Sequence, residues 1–450
     1  MLLNKIRDYL FGASSAPIRP DVRLGRYSDS FKSKEQVGQL KKSMHLFEEK
    51  DYMKAFKAFI DYLRDDDEKN VKILLEDGEQ LKFEIYQGSK KIITTATIHE
   101  VVAEASVVRV DQLEKQVPLM RRLMELNYGL RYSRFCLKED VVYLKFDTNV
   151  IDGSPDKLYY ALKEVATRSD KYDDQLLNEF PSLKPIDNTH ITELPEAEKE
   201  VKYQYLVNWI KEAMNKVEEL ESRTSKPELQ AAIPYILLNL TYRIDYLIAP
   251  EGKLMEHLEE IHKAYFAVNT HSITKKVVRM KEEFEAILKM PKALILKELY
   301  RVKATFGVTT VATPAMISTF IQEEVKKISW YNNNQYPNIA TTMLEYIAQY
   351  VMFYYATPKY SRRLYHLIIK MINADYFEAL GFQQTYYNLK KDELDRKAIE
   401  VFLKTLREEA VREYQKFNLN SAQLQYSSRI TFIISLLKAI SILDYSQWET

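Results

Sequence analysis

Glycine is scarce in this chain, with 10 residues in 450, where average usage of about 7% would give roughly 30. Glycine supplies the positive-φ turns and close backbone approaches from which phosphate loops and many active-site loops are built. Its scarcity therefore counts against nucleotide enzymes and favours long helices. Cysteine is rarer still: the single Cys136 rules out an intramolecular disulfide framework and any Cys-clustered metal site, and it points to a reducing cytoplasm. Neither charge is in surplus, since 65 Lys+Arg stand against 64 Asp+Glu for a formal net of +1. A non-specific nucleic-acid binder needs excess Lys and Arg to displace counterions from phosphates, so that class is not expected. Long apolar runs are also missing. The most apolar stretch, ITFIISLLKAISIL, is interrupted by Lys438 and is too short to span a bilayer. The opening segment, MLLNKIRDYLFGASSAP, lacks the continuous apolar core of a signal peptide. The chain contains no GxSxG, GxxxxGK, GxGxxG or HExxH.

What is present is a hydrophobic content of 46%, enough over 450 residues for substantial cores and roughly two or three domains. Tyrosine is abundant at 32 residues; codon bias accounts for this more simply than an aromatic contact surface does. Residues 1–32 read as an arm, with Leu2, Leu3, Ile6, Leu10 and Phe11 on one side of a short helix, followed by the linker ASSAPIRPDVR. Twelve residues bury little apolar area, so docking or disorder is expected of the arm rather than membrane binding.

A helix is expected to begin at Ser33, which with Gln36 makes a capping box. Its stripe is Val37, Leu40, Met44 and Phe47, and a second stripe follows at Tyr52, Ala55, Phe56, Phe59, Ile60 and Leu63. The pair has the spacing of one tetratricopeptide unit, but no copies recur at a fixed period. DDDEK at 65–69 lacks the spaced ligands and glycine of a calcium loop and reads as a solvated turn. Beyond it the period becomes two. VKILLED, QLKFEIY and KKIITTATI, punctuated by Gly78 and Gly88, are strands, and EVVAEASVVRV is read as another.

The stretch VPLMRRLMELNYGLRYSRFCLKEDVVYLKFD, residues 117–147, then switches period within itself. A helix bearing Leu119, Leu123, Met124 and Leu126 stops at Asn127-Tyr128-Gly129, where glycine is expected in the left-handed cap conformation. Two strands follow, joined by a polar turn at Lys138-Glu139-Asp140. Ser154-Pro155 opens the next helix, with serine as cap and proline preset for the first helical position.

This wording, MRRLMELNY then SRFCLKEDVVYLKF then SPDKLYYALKEVATRSDKYDDQL, resembles the YbjN-like family of bacterial sensory-transduction regulators, whose fold looks like that of type III secretion chaperones. The resemblance covers about one third of the chain and carries no catalytic motif. It implies protein binding, often dimerisation, and no catalytic residues. Unlike the small free-standing family domains, this chain carries a large C-terminal extension.

FPSLKPIDNTHITELP, with three prolines and no clear period, reads as a boundary. About nine helices are expected from 196 to 445, with Pro234 kinking one or delaying its start and Thr313-Pro314 and Thr357-Pro358 opening others. Candidate chemistry is thin. Glu259 and His262 match one Glu-x-x-His element of a di-iron bundle, but no second copy exists. His257 lies about 140° around the helix from His262. Cys136 has only His45 and His99 as same-domain bases, and ordinary packing is the simpler reading. TFGVTTVATP at 305–314 reads as a connector rather than a ligand loop. The strip Lys275, Lys276, Arg279, Lys281 is followed by Glu282, Glu283 and Glu285, which suits a solvated face better than an anion site. MLEYIAQYVMFYYATPKYSRRLYH, residues 343–366, is apolar at nearly every helical angle and reads as core.

The expected fold is α+β, an antiparallel sheet with flanking helices in secretion-chaperone-like αβββαββα order, followed by an irregular all-α domain. The expected boundaries are an arm and linker at 1–32, the α+β domain at 33–180, a linker at 181–195 and the helical domain at 196–450. The expected function is a non-catalytic protein-binding module, chaperone-like or a regulatory adaptor, in the bacterial cytoplasm. An enzyme with an unrecognised site in the helical domain and a self-associating structural module are the alternatives. No catalytic, cofactor or metal residues are assigned. The expected partner is another protein or a peptide segment of one, with a homodimer left open and neither nucleic acid nor integral membrane association expected.

Overall fold

In the computed structural model the described residues are 20–22, 24–25, 31–65, 70–111, 117–187, 190–223, 226–267, 272–304, 310–311 and 313–445. The amphipathic arm at 1–12, most of the acidic turn at 65–69 and most of the 305–314 connector lie outside them.

The chain opens with two helices, α1 (Lys34–Glu48) and α2 (Tyr52–Leu63). The capping box at the start of α1 forms as the residues dictate: Gln36 N–H donates to Ser33 Oγ at 3.2 Å and Ser33 N–H to Gln36 Oε1 at 2.9 Å. Four strands follow, β1 (Val71–Glu76), β2 (Gln80–Gln87), β3 (Lys90–Thr97) and β4 (Glu100–Val110). Then come α3 (Val117–Tyr128), β5 (Arg134–Lys138), β6 (Val141–Asn149), α4 (Pro155–Glu179) and the short β7 (Leu183–Pro185). The sheet has seven strands in the order β1-β2-β3-β4-β6-β5, with β7 alongside the end of β4, and every pairing is antiparallel. EVVAEASVVRV is a full strand paired on both sides, as its alternation indicates, so the first run holds four strands where the αβββαββα order counts three.

Alternation places Leu81, Phe83 and Ile85 of β2, with Ile92 and Ala96 of β3 and Val101 and Ala103 of β4, on one buried face. Phe56, Phe59, Ile60 and Leu63 of α2 and Leu158, Leu162 and Val165 of α4 cover that face. A second small core gathers Leu119 and Leu123 of α3 with Phe135, Val142, Leu144 and Leu176.

The α3 to β5 passage corrects one expectation, since Gly129 does not adopt a positive φ. The turn is closed by side chains instead. Asn127 Oδ1 accepts Phe135 N–H at 2.6 Å, and the Glu164 carboxylate of α4 accepts the N–H groups of Arg131, Tyr132 and Ser133 at 2.9, 2.9 and 2.8 Å. Those amides are satisfied by side chains, and the helix-end carbonyls of Leu126 and Asn127 accept Gly129 and Leu130 N–H at 3.1 and 3.2 Å, so the left-handed cap is not needed.

The stretch read as a linker is structured on both sides: β7 joins the sheet, and β8 (Thr192–Glu193) pairs with β9 (Tyr300–Arg301). The expected all-α domain also holds two short strand pairs, Thr310–Val311 parallel to Tyr355–Ala356 and Tyr387–Asn388 antiparallel to Glu393–Leu394. Its helices are α5 (Glu196–Arg223), α6 (Pro227–Arg243), α7 (Gly252–Phe266), α8 (Ile273–Lys289), α9 (Lys292–Lys297), α10 (Pro314–Asn333), α11 (Pro337–Tyr354), α12 (Lys359–Ile372), α13 (Ala374–Ala379), α14 (Arg396–Glu413) and α15 (Arg429–Ile440). Nine of these are long and two, α9 and α13, are six-residue turns that leave little periodic signal. Pro234 neither delays nor breaks α6, which runs through it. The local cost of a mid-helix proline, ~3 kcal/mol, is outweighed by burial on nearly every side of that helix. Thr313 caps α10 as expected, its Oγ1 accepting Met316 N–H at 3.3 Å. Thr357 does not cap α12, whose N-cap is Pro358 without a side-chain bond. These helices share one core, separate from the two beneath the sheet. None of the helices among the described residues is long and apolar enough to cross a membrane.

Several contacts tie the halves together. Gly88 N–H donates to the Ala304 carbonyl at 3.0 Å, Lys171 of α4 pairs with Glu259 of α7, and Lys303 Nζ sits 3.7 Å from the Tyr86 ring centre. The segment before α1 straps onto the helical half through Gly25 N–H to the Tyr246 carbonyl at 2.6 Å and Asp21 to Arg301 at 2.7 Å.

Candidate partner-binding surface

Strand β1 lies at the outer edge of the sheet and pairs with β2 alone among the described residues. An outer strand leaves one row of backbone N–H and C=O groups unpaired, a template for another strand. Val71 stands opposite Ile85 and Ile73 opposite Phe83, both toward the core. Simple alternation would put Leu75 there too. A bulge between Ile73 and Leu75 shifts the register, so Leu75 stands opposite Lys82 and faces outward. The two consecutive leucines, Leu74 and Leu75, are therefore 41% and 42% exposed. The edge carries apolar side chains where natural edges more often carry charge or proline.

At the end of β1 a groove of about 500 Å³ opens between α1, α2 and the β1–β2 turn. Leu46, Met53, Ala58 and Leu81 form its apolar part, and Lys42, Asp51, Lys54, Lys57, Glu76 and Asp77 its rim. Most rim charges are paired. Lys54 lies 2.7 Å from Asp51, Lys57 binds Glu76, and Asp77 Oδ1 accepts Glu79 and Gln80 N–H at 2.9 and 2.7 Å to hold the turn. The hydrogen bond from the Lys54 ammonium holds the Asp51 carboxyl below its ordinary range. A floor of aliphatic and methionine side chains inside a neutralised rim suits an apolar anchor residue.

The sheet face opposite the core carries Lys145 between Glu104 and Asp147 at 3.8 and 4.0 Å, with Arg134 on Asp147 and Lys91 3.7 Å from Glu84. Ile93, Val102, Tyr143 and Cys136 are half-buried among these charges. Burial first, then the Glu104 charge, pushes the Cys136 thiol up, the opposite of what a nucleophilic thiolate requires.

The residues singled out from the sequence do not converge. Glu259 is engaged by Lys171 and by Lys263. His262 packs against Tyr242, Phe266 and Phe353, while His257 Nδ1 lies 2.7 Å from Glu283 on α8. His45 lies 3.4 Å from Glu49 and His99 N–H donates to Thr97 Oγ1 at 3.2 Å, and the charges that act on Cys136 are those of Glu104, Lys145, Arg134 and Asp147. The basic strip divides: Arg279 serves Glu282 and Glu283, Lys281 serves Glu221 at 2.8 Å, and Lys276 donates to the Tyr265 carbonyl at 3.0 Å. The aromatic run at 343–366 supplies Tyr346, Ile347, Val351, Leu364 and Tyr365 to the helical core. Among the described residues no group of three or more His, Cys, Asp and Glu is arranged to hold a metal ion.

Leu74, Leu75 and the groove residues were not singled out from the sequence. The available signal was the Leu-Leu doublet in VKILLED, which breaks strict alternation and so marks either a bulge or the end of the strand.

The sequence matches no protein-family model, and none of the curated proteins is significantly similar to it.

Proposed function

We propose that this chain is a non-catalytic protein-binding module that holds an extended segment of another protein along β1, with an apolar residue of that segment seated in the adjacent groove. The observation that carries the reading is the bulged outer strand with Leu74 and Leu75 turned to solvent beside an apolar depression. Strand addition uses such an edge: main-chain hydrogen bonds supply affinity, and pockets for alternate side chains supply selectivity. The YbjN-like, secretion-chaperone-like kinship of the α+β part remains part of the proposal, as does a chaperone or adaptor role in a bacterial cytoplasm. The run of helices, strands, helix, hairpin and helix between α1 and α4 supports it.

The test places a photo-crosslinking amino acid at Leu75 and, as a comparison, at exposed Val401 on α14 in cells. A single discrete adduct is expected at 75 and not at 401. The partner identified there should bind the purified full chain, and the double variant Leu74→Lys/Leu75→Lys should lose that binding without a change in thermal stability. The same adducts at both positions, or none at 75, would count decisively against the reading.

A further inference from the structure

The helical half contains a second built feature, independent of the β1 edge. A cavity of about 380 Å³ opens where α5, α6, α11 and the α12–α13 junction meet. Behind its lining residues Asn239, Arg243 and Asn373 lies Glu345 of α11, 0% exposed. Its carboxylate accepts Arg243 Nε at 3.0 Å, Asn239 Nδ2 at 2.7 Å and Asn373 Nδ2 at 2.6 Å, and Arg243 Nη2 as well. Burial would raise this carboxyl, but the Arg243 charge and these donors outweigh it and keep it below the ordinary range, so it is an anion.

The arrangement leaves specific groups unused. Arg243 commits Nε and Nη2 to Glu345 and lays its guanidinium over Trp209 at 5.3 Å, while Nη1 donates to no group among the described residues. Asn239 is 1% exposed and its Oδ1 has no partner. Turning that amide over would set its oxygen against the Glu345 carboxylate, so the orientation is determined. The main chain is unusual at the same point: immediately after Arg243 the helix widens into a π-turn, Ile244–Ile248, a feature that recurs at ligand sites. The exposed carboxylates of Glu212 and Asp375 line the mouth and both act on the Arg243 charge; Asp375 also accepts the Tyr205 hydroxyl, and the one other cation of the lining, Lys216, is turned to Glu219 at 3.0 Å. Ile236, Leu240, Ile339 and Ile372 form apolar walls.

A buried ion pair adds little to stability that well-packed apolar residues would not supply. A ligand that fits these groups needs an acceptor for the spare guanidinium N–H, a cationic donor for the acidic mouth and the orphan amide oxygen, and an apolar body. We infer that this cavity binds a free α-amino acid with an apolar side chain. Its carboxylate meets Arg243, its ammonium meets Asn239 and the Glu212–Asp375 mouth, and its side chain lies against the isoleucine and leucine walls. The volume is at the small end of ordinary ligand pockets, about 300–1,000 Å³, and accommodates one such molecule.

The experiment uses the full chain, with thermal melting and titration calorimetry against the individual amino acids. One or more of leucine, isoleucine, methionine and phenylalanine is expected to raise the melting temperature and titrate to a single site. 3-Methylbutylamine, which lacks the carboxylate, and 4-methylpentanoate, which lacks the ammonium, should each bind at least tenfold more weakly. Asp375→Asn and Glu212→Gln, both at exposed positions, should each weaken the amino acid at least tenfold with an unchanged circular dichroism spectrum, while Glu400→Gln on α14 should not. If no amino acid shifts the melt, if either analogue binds as tightly as the amino acid, or if both mouth variants bind normally, the assignment is overturned.

Discussion

Lys90 and Asp173 form a buried ion pair, Nζ to Oδ2 at 2.7 Å, at the seam between the sheet and the helical half. The Lys90 ammonium also donates to the carbonyls of Val107 and Ile186 at 3.1 and 3.3 Å, and Ser89 Oγ donates to Asp173 at 2.8 Å. Removing one partner of such a pair leaves the other buried and uncompensated, at a cost of about 3–5 kcal/mol. Lys90→Met is therefore expected to lower the unfolding free energy by that amount in urea at pH 7. The double variant Lys90→Met/Asp173→Leu should lose clearly less. Equal losses would mean that the pair does not act as a unit.

The seam also predicts a pH dependence. Asp173 is pushed up to about 6 and Asp174 up to about 9. Burial is the main cause for both; Lys90 partly offsets it at Asp173, and Asp173, Asp170, Glu251 and Glu298 add to it at Asp174. A carboxyl whose folded pKa lies above its unfolded value, ~4, binds its proton more tightly when folded. Folding stability is then greatest below the unfolded value and falls as the pH rises from there to the folded value. The loss from Asp173 is complete near pH 6 and that from Asp174 continues to about pH 9. The melting temperature at constant ionic strength should drop between pH 6 and pH 9, and Asp174→Asn should flatten the drop. A melting temperature that rises over this interval would exclude the assignment.

Gly88 has a φ of 51°, and a Cβ there would overlap the Asp170 carboxyl. That carboxyl is held in place by Ser89 N–H at 2.6 Å and Gln87 Nε2 at 3.1 Å, so withdrawing it would break these bonds. Gly88→Ala combines backbone strain with overpacking and should cost about 2–4 kcal/mol. Because Gly88 N–H also bonds Ala304 across the seam, proteolysis near residue 304 should accelerate in the variant. Wild-type cleavage rates there would show that the bond does not secure the seam.

Glu164 supports the turn in which helix gives way to strand, accepting three backbone N–H groups and the Ser133 hydroxyl at 2.7 Å. Burial raises its pKa, but these donors outweigh burial and hold it below the usual carboxylate range. Its contribution is thus present above pH ~4.5 and fades as the pH falls through the lowered value. Glu164→Ala should cost about 2–3 kcal/mol at pH 7. Amide exchange at Arg131, Tyr132 and Ser133 should speed up selectively, and unchanged exchange there would contradict the role.

Much of the α+β architecture was legible because its signals are local. The Ser33–Gln36 box, the Ser154-Pro155 start of α4, the period-two runs of β1 to β4 and the Lys138-Glu139-Asp140 turn, with Glu139 at a φ of 55°, lie within a few residues of what they specify. The candidate surface was not legible. Alternation assigns Leu75 to the core, and only the bulge against β2 turns it outward. The Arg243–Glu345 network joins residues 102 positions apart, and nothing near either one in the chain announces the other.

The order of amino acids by itself determined which segments coil and which extend, where most of them begin, and that the chain carries no familiar catalytic motif, because helix caps, turn chemistry and hydrophobic period act over a single turn or pleat. Only the tertiary structure decided which strand is left at the sheet edge, which carboxylates face one another across the seam, and where α5, α6, α11, α12 and α13 leave a cavity with polar lining. Those outcomes depend on packing between distant segments, where burial and long-range ion pairing outweigh any local preference.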